Sequence, residues 1–252
     1  MRMEADLHVH TIASGHAFST IKEVAGAAAG RGLKIVGITD HGINMPGGPH
    51  EYYFYQLLGF PKELAGVEIL RGVEANIIDT AGNLDLPERL LSELDLVLAG
   101  FHEGSGYDPG SVDANTRAMI NAICNPFVHI ISHPGNPVFT VDIEKVVLAA
   151  KAAGKALEIN NNSFSLSRPG STPRCRLFAE SAKRNKVLVA ANSDSHFCDT
   201  VGQCDKAMQL INEVGIKKDA VLNTSALKVK DYLNWHKKVL KEARKLVIAL
   251  SS

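Results

Sequence analysis

Seven short apolar runs recur along the chain, most of them rich in β-branched residues or Leu. They are Ala5–Val9, Leu33–Thr39, Val67–Val73, Leu94–Phe101, Phe127–Ser132, Lys155–Ile159 and Val187–Asn192. Each gives way to Gly, Asn or His and then to a helical stretch. Continuous apolar runs this short read as strands buried on both faces, as in a parallel sheet. The segments between them carry helix signals. Thr20-Ile21-Lys22-Glu23 is a capping box opening a helix that ends near Gly30–Gly32. Thr140 precedes a helix over Val141–Ala153, stopped by Gly154. Ser171–Asn185 has Pro173 in its first turn and Leu177, Phe178 and Ala182 on one face. Asn115–Cys124 and Leu84–Glu93 fill two more gaps, and Gln203–Val214 and Ala226–Ala249 follow the last strand as packing helices.

Strand-helix alternation of this kind implies parallel strands joined by right-handed crossovers. Seven repeats are enough to close, so an α/β chain forming a (β/α)7 barrel is expected, with an open doubly wound sheet as the alternative. No GxGxxG follows a strand and no GxxxxGK[ST] occurs, so neither glycine-rich phosphate cradle is present. No low-complexity linker divides the chain, and one domain over residues 1–252 follows.

Polar residues stand where the runs end. Strand one finishes in Asp6-Leu7-His8-Val9-His10, with His16 in the adjoining loop, and strand two in Thr39-Asp40-His41-Gly42. Strand three finishes in Gly72-Val73-Glu74-Ala75-Asn76, strand four in Gly100-Phe101-His102-Glu103 and strand five in Ser132-His133-Pro134-Gly135. The last finishes in Asn192-Ser193-Asp194-Ser195-His196. In a parallel barrel these ends share one rim, where active sites are built. His8 and His10 are two apart and so face one way, as do Asp194 and His196. Small residues further back (Gly37, Gly72, Gly100, Ala190) are expected to leave room for ions and ligands. Leu7, Val36, Ile38, Val73 and Val97 on the other faces are expected to pack on helices. Imidazole and carboxylate suit zinc, manganese and iron, and no thiolate set competes for a structural zinc.

Composition narrows the partners. Lys plus Arg and Asp plus Glu are 27 each, so global charge points to neither nucleic acid nor an acidic membrane. No signal core or bilayer-spanning run is read. Cys124, Cys175, Cys198 and Cys204 show no CxxC pairing, which fits a reducing, cytoplasmic setting. Cys198 is read as a bystander to the metal motif.

Four motifs in order, Asp6-Leu7-His8-Val9-His10-Thr11, Ile38-Thr39-Asp40-His41-Gly42, Ile131-Ser132-His133-Pro134 and Ser193-Asp194-Ser195-His196, with the Gly72-Val73-Glu74 segment and His102, resemble the PHP (polymerase and histidinol phosphatase) superfamily. Ala99–Glu103, His129–Pro137 and Leu157–Asn161 look like its small YcdX-type phosphatases, and the resemblance runs from about Ala5 to Leu233. It implies a distorted, TIM-like (β/α)7 barrel with a trinuclear metal site at the C-terminal rim of the strands. Carried over, the ligands are His8, His10, His16, His41, Glu74, His102, His133, Asp194 and His196, all present. His8, His10, Glu74 and Asp194 would hold one ion. Glu74 would bridge to a second, shared with His102 and His133, and His16, His41 and His196 would hold the third. Three divalent ions are implied, zinc foremost, with manganese or iron as alternatives.

The expected reaction is hydrolysis of a small phosphate monoester by a metal-bound hydroxide, with no covalent intermediate. Glu74, His8 and Asp194 are the residues it depends on. Arg168, in the loop after strand six, is a candidate phosphate clamp or else a solvated loop residue. A phosphodiesterase or 3′-5′ exonuclease is the alternative enzyme, and a non-catalytic metal-binding regulatory module the non-enzymatic one. An amidohydrolase ranks lower, because Glu74 is read as filling the position of its bridging lysine. A homo-oligomer stays open. Asp6 and Asp40 are candidate partners of the histidines, and a turn or cap role is open for Asp40, whose parity points off the rim. His129 is read as a core histidine near Glu158, and His50 and His236 as surface residues. Tyr52–Tyr55 either buries a helix face or walls the pocket.

Overall fold

The computed structural model describes residues 1–165 and 167–251. Its strands are β1 (Ala5–Val9), β2 (Ile35–Ile38), β3 (Glu63–Leu64), β4 (Val67–Asn76), β5 (Leu96–Gly100), β6 (Ile130–Ile131), β7 (Ala156–Asn160) and β8 (Val189–Asn192). They run in the order β1-β2-β4-β5-β6-β7-β8, all parallel, with β3 folded back antiparallel on β4. β8 returns to β1 through a bridge between Val9 and Ser195, which nearly closes a barrel. Side chains stitch much of that seam. Leu7 N–H donates to Asn192 Oδ1 at 3.1 Å, while Asn223 Nδ2 donates to the carbonyls of Ala5 at 3.0 Å and Ala191 at 2.6 Å.

The helices are α1 (Ile21–Gly30), α2 (Glu51–Leu58), α3 (Glu88–Leu91), α4 (Val112–Cys124), α5 (Ile143–Ala153), α6 (Ser171–Asn185), α7 (Asp205–Val214) and α8 (Ala226–Ser251). The capping box forms: Thr20 accepts from Glu23 N–H while the Glu23 carboxylate accepts from Thr20 N–H at 2.7 Å. Gly154 closes α5 at φ 66°, a conformation that suits glycine. The N-cap of α5 is Asp142, two residues past Thr140.

Apolar residues fall into two layers. Val36, Ile38, Val73 and Val97 point outward, packing with helix residues such as Val24, Met119, Val147 and Phe178. Ala5, Ile35, Leu70, Leu96, Leu98, Ile130, Ala156 and Ala190 fill the barrel interior, and Val229, Tyr232 and Leu233 of α8 join them. α8 therefore plugs the N-terminal end and leaves the other end to polar groups. Leu7 departs from expectation and belongs to the interior layer. The register between β1 and β2 shifts between Asp6 and Val9, and that irregularity breaks the simple alternation. The small residues also serve differently. A Cβ on Gly37 would lie 2.8 Å from Leu96 and one on Gly72 2.6 Å from Leu96 O, so both glycines permit close packing of the interior. Ala190 sits in the same layer. Of the four, Gly100 is the one at the rim, where a Cβ would meet Ser132 Oγ at 2.2 Å and the His133 ring at 3.0 Å. Among the described residues no helix is long and apolar enough to cross a membrane.

Candidate metal centre

Above the apolar layer the inward strand positions turn polar. Glu74 and Asn76 on β4, Glu158 and Asn160 on β7, and Asn192 at the end of β8 are all buried. His8 and His10 enter from β1, His41 from the end of β2 and His102 from the end of β5. His133 and Asp194 follow β6 and β8 with φ of 28° and 54°, left-handed values that cost L-residues about 1–3 kcal/mol each. That strain turns each side chain toward the shared centre.

Eight of the nine expected ligands pack tightly. His8 Nε2 lies 3.0 Å from His10 Nε2 and 3.1 Å from Glu74 Oε2. His10 Nε2 is 3.2 Å from Asp194 Oδ1, and His41 Nδ1 is 3.0 Å from Glu74 Oε2. His133 Nε2 is 2.7 Å from Glu74 Oε1 and 3.1 Å from His102 Nε2. The ring centroids of His196 and His10 are 4.3 Å apart. His16 is more distant and exposed, its ring 5.0 Å from that of His41 and 4.9 Å from that of His196. Three compact groups offer ligand atoms within 4.8 Å of one another: His10–His41–His196, His8–His10–Asp194 and His41–Glu74–His102. This grouping puts His10 where the resemblance puts His16.

The donor set fits divalent ions. Three of its buried atoms, His41 Nδ1, Glu74 Oε2 and Asp194 Oδ1, have no hydrogen-bond partner. Buried polar atoms are rarely left so, because each unmet group costs about 1–3 kcal/mol. Imidazole nitrogens facing one another at 3.0–3.1 Å are the arrangement expected when lone pairs converge on a cation. The far ring nitrogens are held in place. His8 Nδ1 is 2.7 Å from Glu158 Oε1, His102 Nδ1 2.7 Å from Asn76 Oδ1, and His196 Nδ1 3.0 Å from the Asp194 carbonyl. His10 Nδ1 is 3.0 Å from Ser14 Oγ, whose hydroxyl donates to Asp40 at 2.7 Å. These partners accept an N–H and leave the opposite nitrogen bare for a metal.

Electrostatics point the same way. Burial, which favours the neutral form, would raise the Glu74 and Asp194 carboxyls. The surrounding groups, His8 first for both, instead hold them well below the usual range. Burial lowers His41 to about 3 and His133 to about 4, so both rings are neutral, as ligands must be. Burial opposes charge on His8, but Glu158, Glu74 and Asp194 together raise it well above its ordinary value.

Arg168 is only 13% exposed, and its Nη1 donates to Asp194 Oδ2 at 2.8 Å, so it is no solvated loop residue. It lines a cleft of about 450 Å³ over the centre, with Met45, Phe101, Asn136, Asn162 and Ser167. Asp6 anchors the segment after β8 by accepting from Ser193 N–H at 3.1 Å and Gly202 N–H at 2.7 Å. Asp40 accepts from Thr11 N–H at 2.6 Å and from the Tyr53 hydroxyl, so it fixes the loop after β1 and reaches His10 through Ser14. In the aromatic run Phe54 is buried against the barrel while Tyr52 and Tyr55 face solvent. His50 is exposed and caps α2, its Nδ1 accepting from Tyr52 N–H at 3.2 Å. Cys198 falls outside the ligand groups.

Two expectations need correction. His236 is buried, not at the surface: its Nε2 lies 3.2 Å from the Gly154 carbonyl and its ring 5.2 Å from that of His129. His129 is a core histidine as expected, but its Nδ1 accepts from Val97 N–H at 3.0 Å at the plugged end, whereas Glu158 serves His8. Sequence reasoning also missed Asp85. It accepts from Asn76 N–H at 2.8 Å and from Asn76 Nδ2, and so steadies the amide that orients His102. The legible signal for Glu158 was the polar alternation Glu158–Asn160 inside an apolar run.

The family model described as PHP domain matches residues 6–248. A protein of Caldanaerobacter subterraneus subsp. tengcongensis named a probable phosphatase is 52% identical over 238 residues, 94% of each chain. One so named from Syntrophotalea carbinolica is 47% identical over 233 residues, 92% of this chain and 97% of that one. Among solved structures, the chain is similar to histidinol phosphate phosphatase from Lactococcus lactis, complexed with zinc, L-histidinol and phosphate. The TM-score is 0.59 at 18% identity, over 86% of this chain and 95% of that one, a likeness of fold.

Proposed function

Because this chain belongs to the PHP domain family, we propose that it is a metal-dependent phosphatase that hydrolyses small phosphate monoesters at a centre of three divalent ions. The relatives named probable phosphatases support the hydrolase. The observation that carries the metal dependence is the convergence of His41 Nδ1, Glu74 Oε2 and Asp194 Oδ1, buried and without hydrogen-bond partners. Zinc is the first choice, since a structural neighbour is complexed with it, and manganese or iron suit the same nitrogen and oxygen donors.

His8, His10, Glu74 and Asp194 would hold one ion, Glu74 with His102 and His133 a second, and His16, His41 and His196 a third. Bound there, divalent ions supply Lewis acidity, neutralising phosphoryl oxygens and making water acidic enough to attack at neutral pH. The chain's own residues do the rest. Glu74 offers one carboxylate oxygen on the His8 and His41 side and the other on the His102 and His133 side. Asp194 fixes Arg168, whose guanidinium has further N–H donors for a phosphate entering the cleft. The cleft's volume of about 450 Å³ suits a small ester.

The test is a panel of phosphomonoesters beside a phosphodiester and labelled single-stranded DNA, with the zinc- and manganese-loaded protein. Monoester turnover that stops on chelation is the expected result. DNA trimming with inert monoesters would replace this reading with a nuclease, and metal uptake without hydrolysis with a regulatory module.

A further inference from the structure

The groups behind the ligand histidines are not equivalent. His10 leans on a hydroxyl (Ser14), His102 on an amide oxygen (Asn76) and His196 on a backbone carbonyl (Asp194). Of these four, His8 is the one with a carboxylate outside the expected ligand set behind its ring, Glu158 Oε1 at 2.7 Å. Glu158 is buried and accepts four N–H groups. Oε1 takes His8 Nδ1 and Asn192 Nδ2 (2.8 Å), and Oε2 takes His133 N–H (2.8 Å) and Asn160 Nδ2 (2.9 Å). The His133 contact pins the backbone of a residue held at φ 28°. Asn160 Nδ2 also lies 3.1 Å from Asp194 Oδ2. One carboxylate therefore meets a ligand ring directly, a second ligand through its backbone and a third through an amide.

On the metal-centre reading above, we propose that Glu158 is a positioning residue. It fixes His8 with Nε2 bare, holds the strained His133 in place, and makes the buried inner part of the centre the tightest ion site. Three physical effects support this. A carboxylate behind an imidazole raises its ligand basicity and locks its tautomer. Carboxylate oxygens of Glu158, Glu74 and Asp194 lie 2.7, 3.1 and 3.6 Å from the His8 ring nitrogens, a concentration of negative charge that favours a cation. The outer ring of His16, His41 and His196 has no carboxylate behind His196 and includes the exposed His16. It should lose its ion first.

The test is chelator-competition titration of metal-stripped protein with Zn²⁺, followed by Co²⁺ titration read by visible absorption. In wild type the last ion stripped is expected to resist chelator most strongly. Glu158→Gln cannot accept all four N–H groups, and should weaken that tightest ion about 10–100-fold and change the spectrum of the first Co²⁺ equivalent. His236→Leu, at the plugged end away from the centre, should leave the affinity of the tightest ion unchanged. If Glu158→Gln does not fold, Glu158→Asp, which keeps an all-acceptor carboxylate set back by one methylene, carries the same test with a loss of several-fold. A lower melting temperature with unchanged affinity and unchanged Co²⁺ spectrum would overturn the proposal, because it would mean that Glu158 only supports the fold. Wild type that takes up no divalent ion would instead overturn the metal-centre reading itself.

Discussion

Buried histidines occupy both ends of this barrel, and their surroundings differ. At the plugged end His129 accepts a backbone N–H from Val97, and His236 meets the Gly154 carbonyl. The pair sits beside the cations Lys155 and Lys237. At the open end His8, His10, His41, His102 and His133 crowd against Glu74 and Asp194, and carboxylate and imidazole atoms there lack hydrogen-bond partners. Burial alone therefore does not mark a ligand histidine. A satisfied ring among cations is packing, whereas an unsatisfied ring beside carboxylates is poised for a metal.

The contrast can be broken experimentally, beginning with the greatest effect. Stripping divalent ions with a strong chelator should take phosphatase activity to background, and zinc or manganese should restore it; activity that survives stripping would remove the distinction. Glu74→Ala should cost at least about 10³-fold in kcat/KM and reduce bound metal on elemental analysis, since it removes both carboxylate oxygens that face the histidines. Arg168→Ala should cost about 10–10²-fold, seen mostly in KM if the guanidinium grips phosphate in the ground state. At the plugged end His236→Leu should leave kcat/KM within about twofold, because the ring is buried at the opposite end of the barrel from the centre.

Acid should act on the plugged end through stability. Burial, with Lys155 adding to it, depresses His236 to about 4, and burial with His236 beside it lowers His129. Both rings are neutral in the native state, while the unfolded chain takes up protons near pH 6.5. The stability that neutral His236 contributes is complete above pH 6.5 and is lost as pH falls toward 4, by about 1.4 kcal/mol per pH unit, and the lowered His129 acts in the same direction. Denaturant titrations of wild type and His236→Leu across that window should diverge in slope by one proton; parallel curves would show that the ring titrates freely.

Much of this was readable from residue order. β1 and α6 have the expected bounds, and the rim residues were named from strand ends and period-two parity. The failures have physical causes. β3 pairs with β4 across Ala65 and Gly66, both left-handed (φ 55° and 76°), and an Ala there carries none of the Asn-Gly signal of such turns. His236 was hidden because its strength lies in a stripe: Val229, Tyr232, Leu233 and His236 share one face of α8 at helical spacing, with the first three in the barrel interior. Glu158 sat in a correctly placed strand, but barrel closure decides which ring it meets, and closure is not a local property of sequence.

The stitched seam has a consequence for synthesis. Leu7 and Asn192, which meet there, are 185 positions apart in the chain. A ribosome threading the polypeptide out from its N-terminus exposes His8, His10 and His41 long before Asp194 and His196 have been made. Until the final strand arrives the imidazoles have no second carboxylate and no rigid frame, so an emerging chain grips stray cations poorly. Long-range closure of this kind is slow, and the proposed centre would be complete only once the last strand is in place.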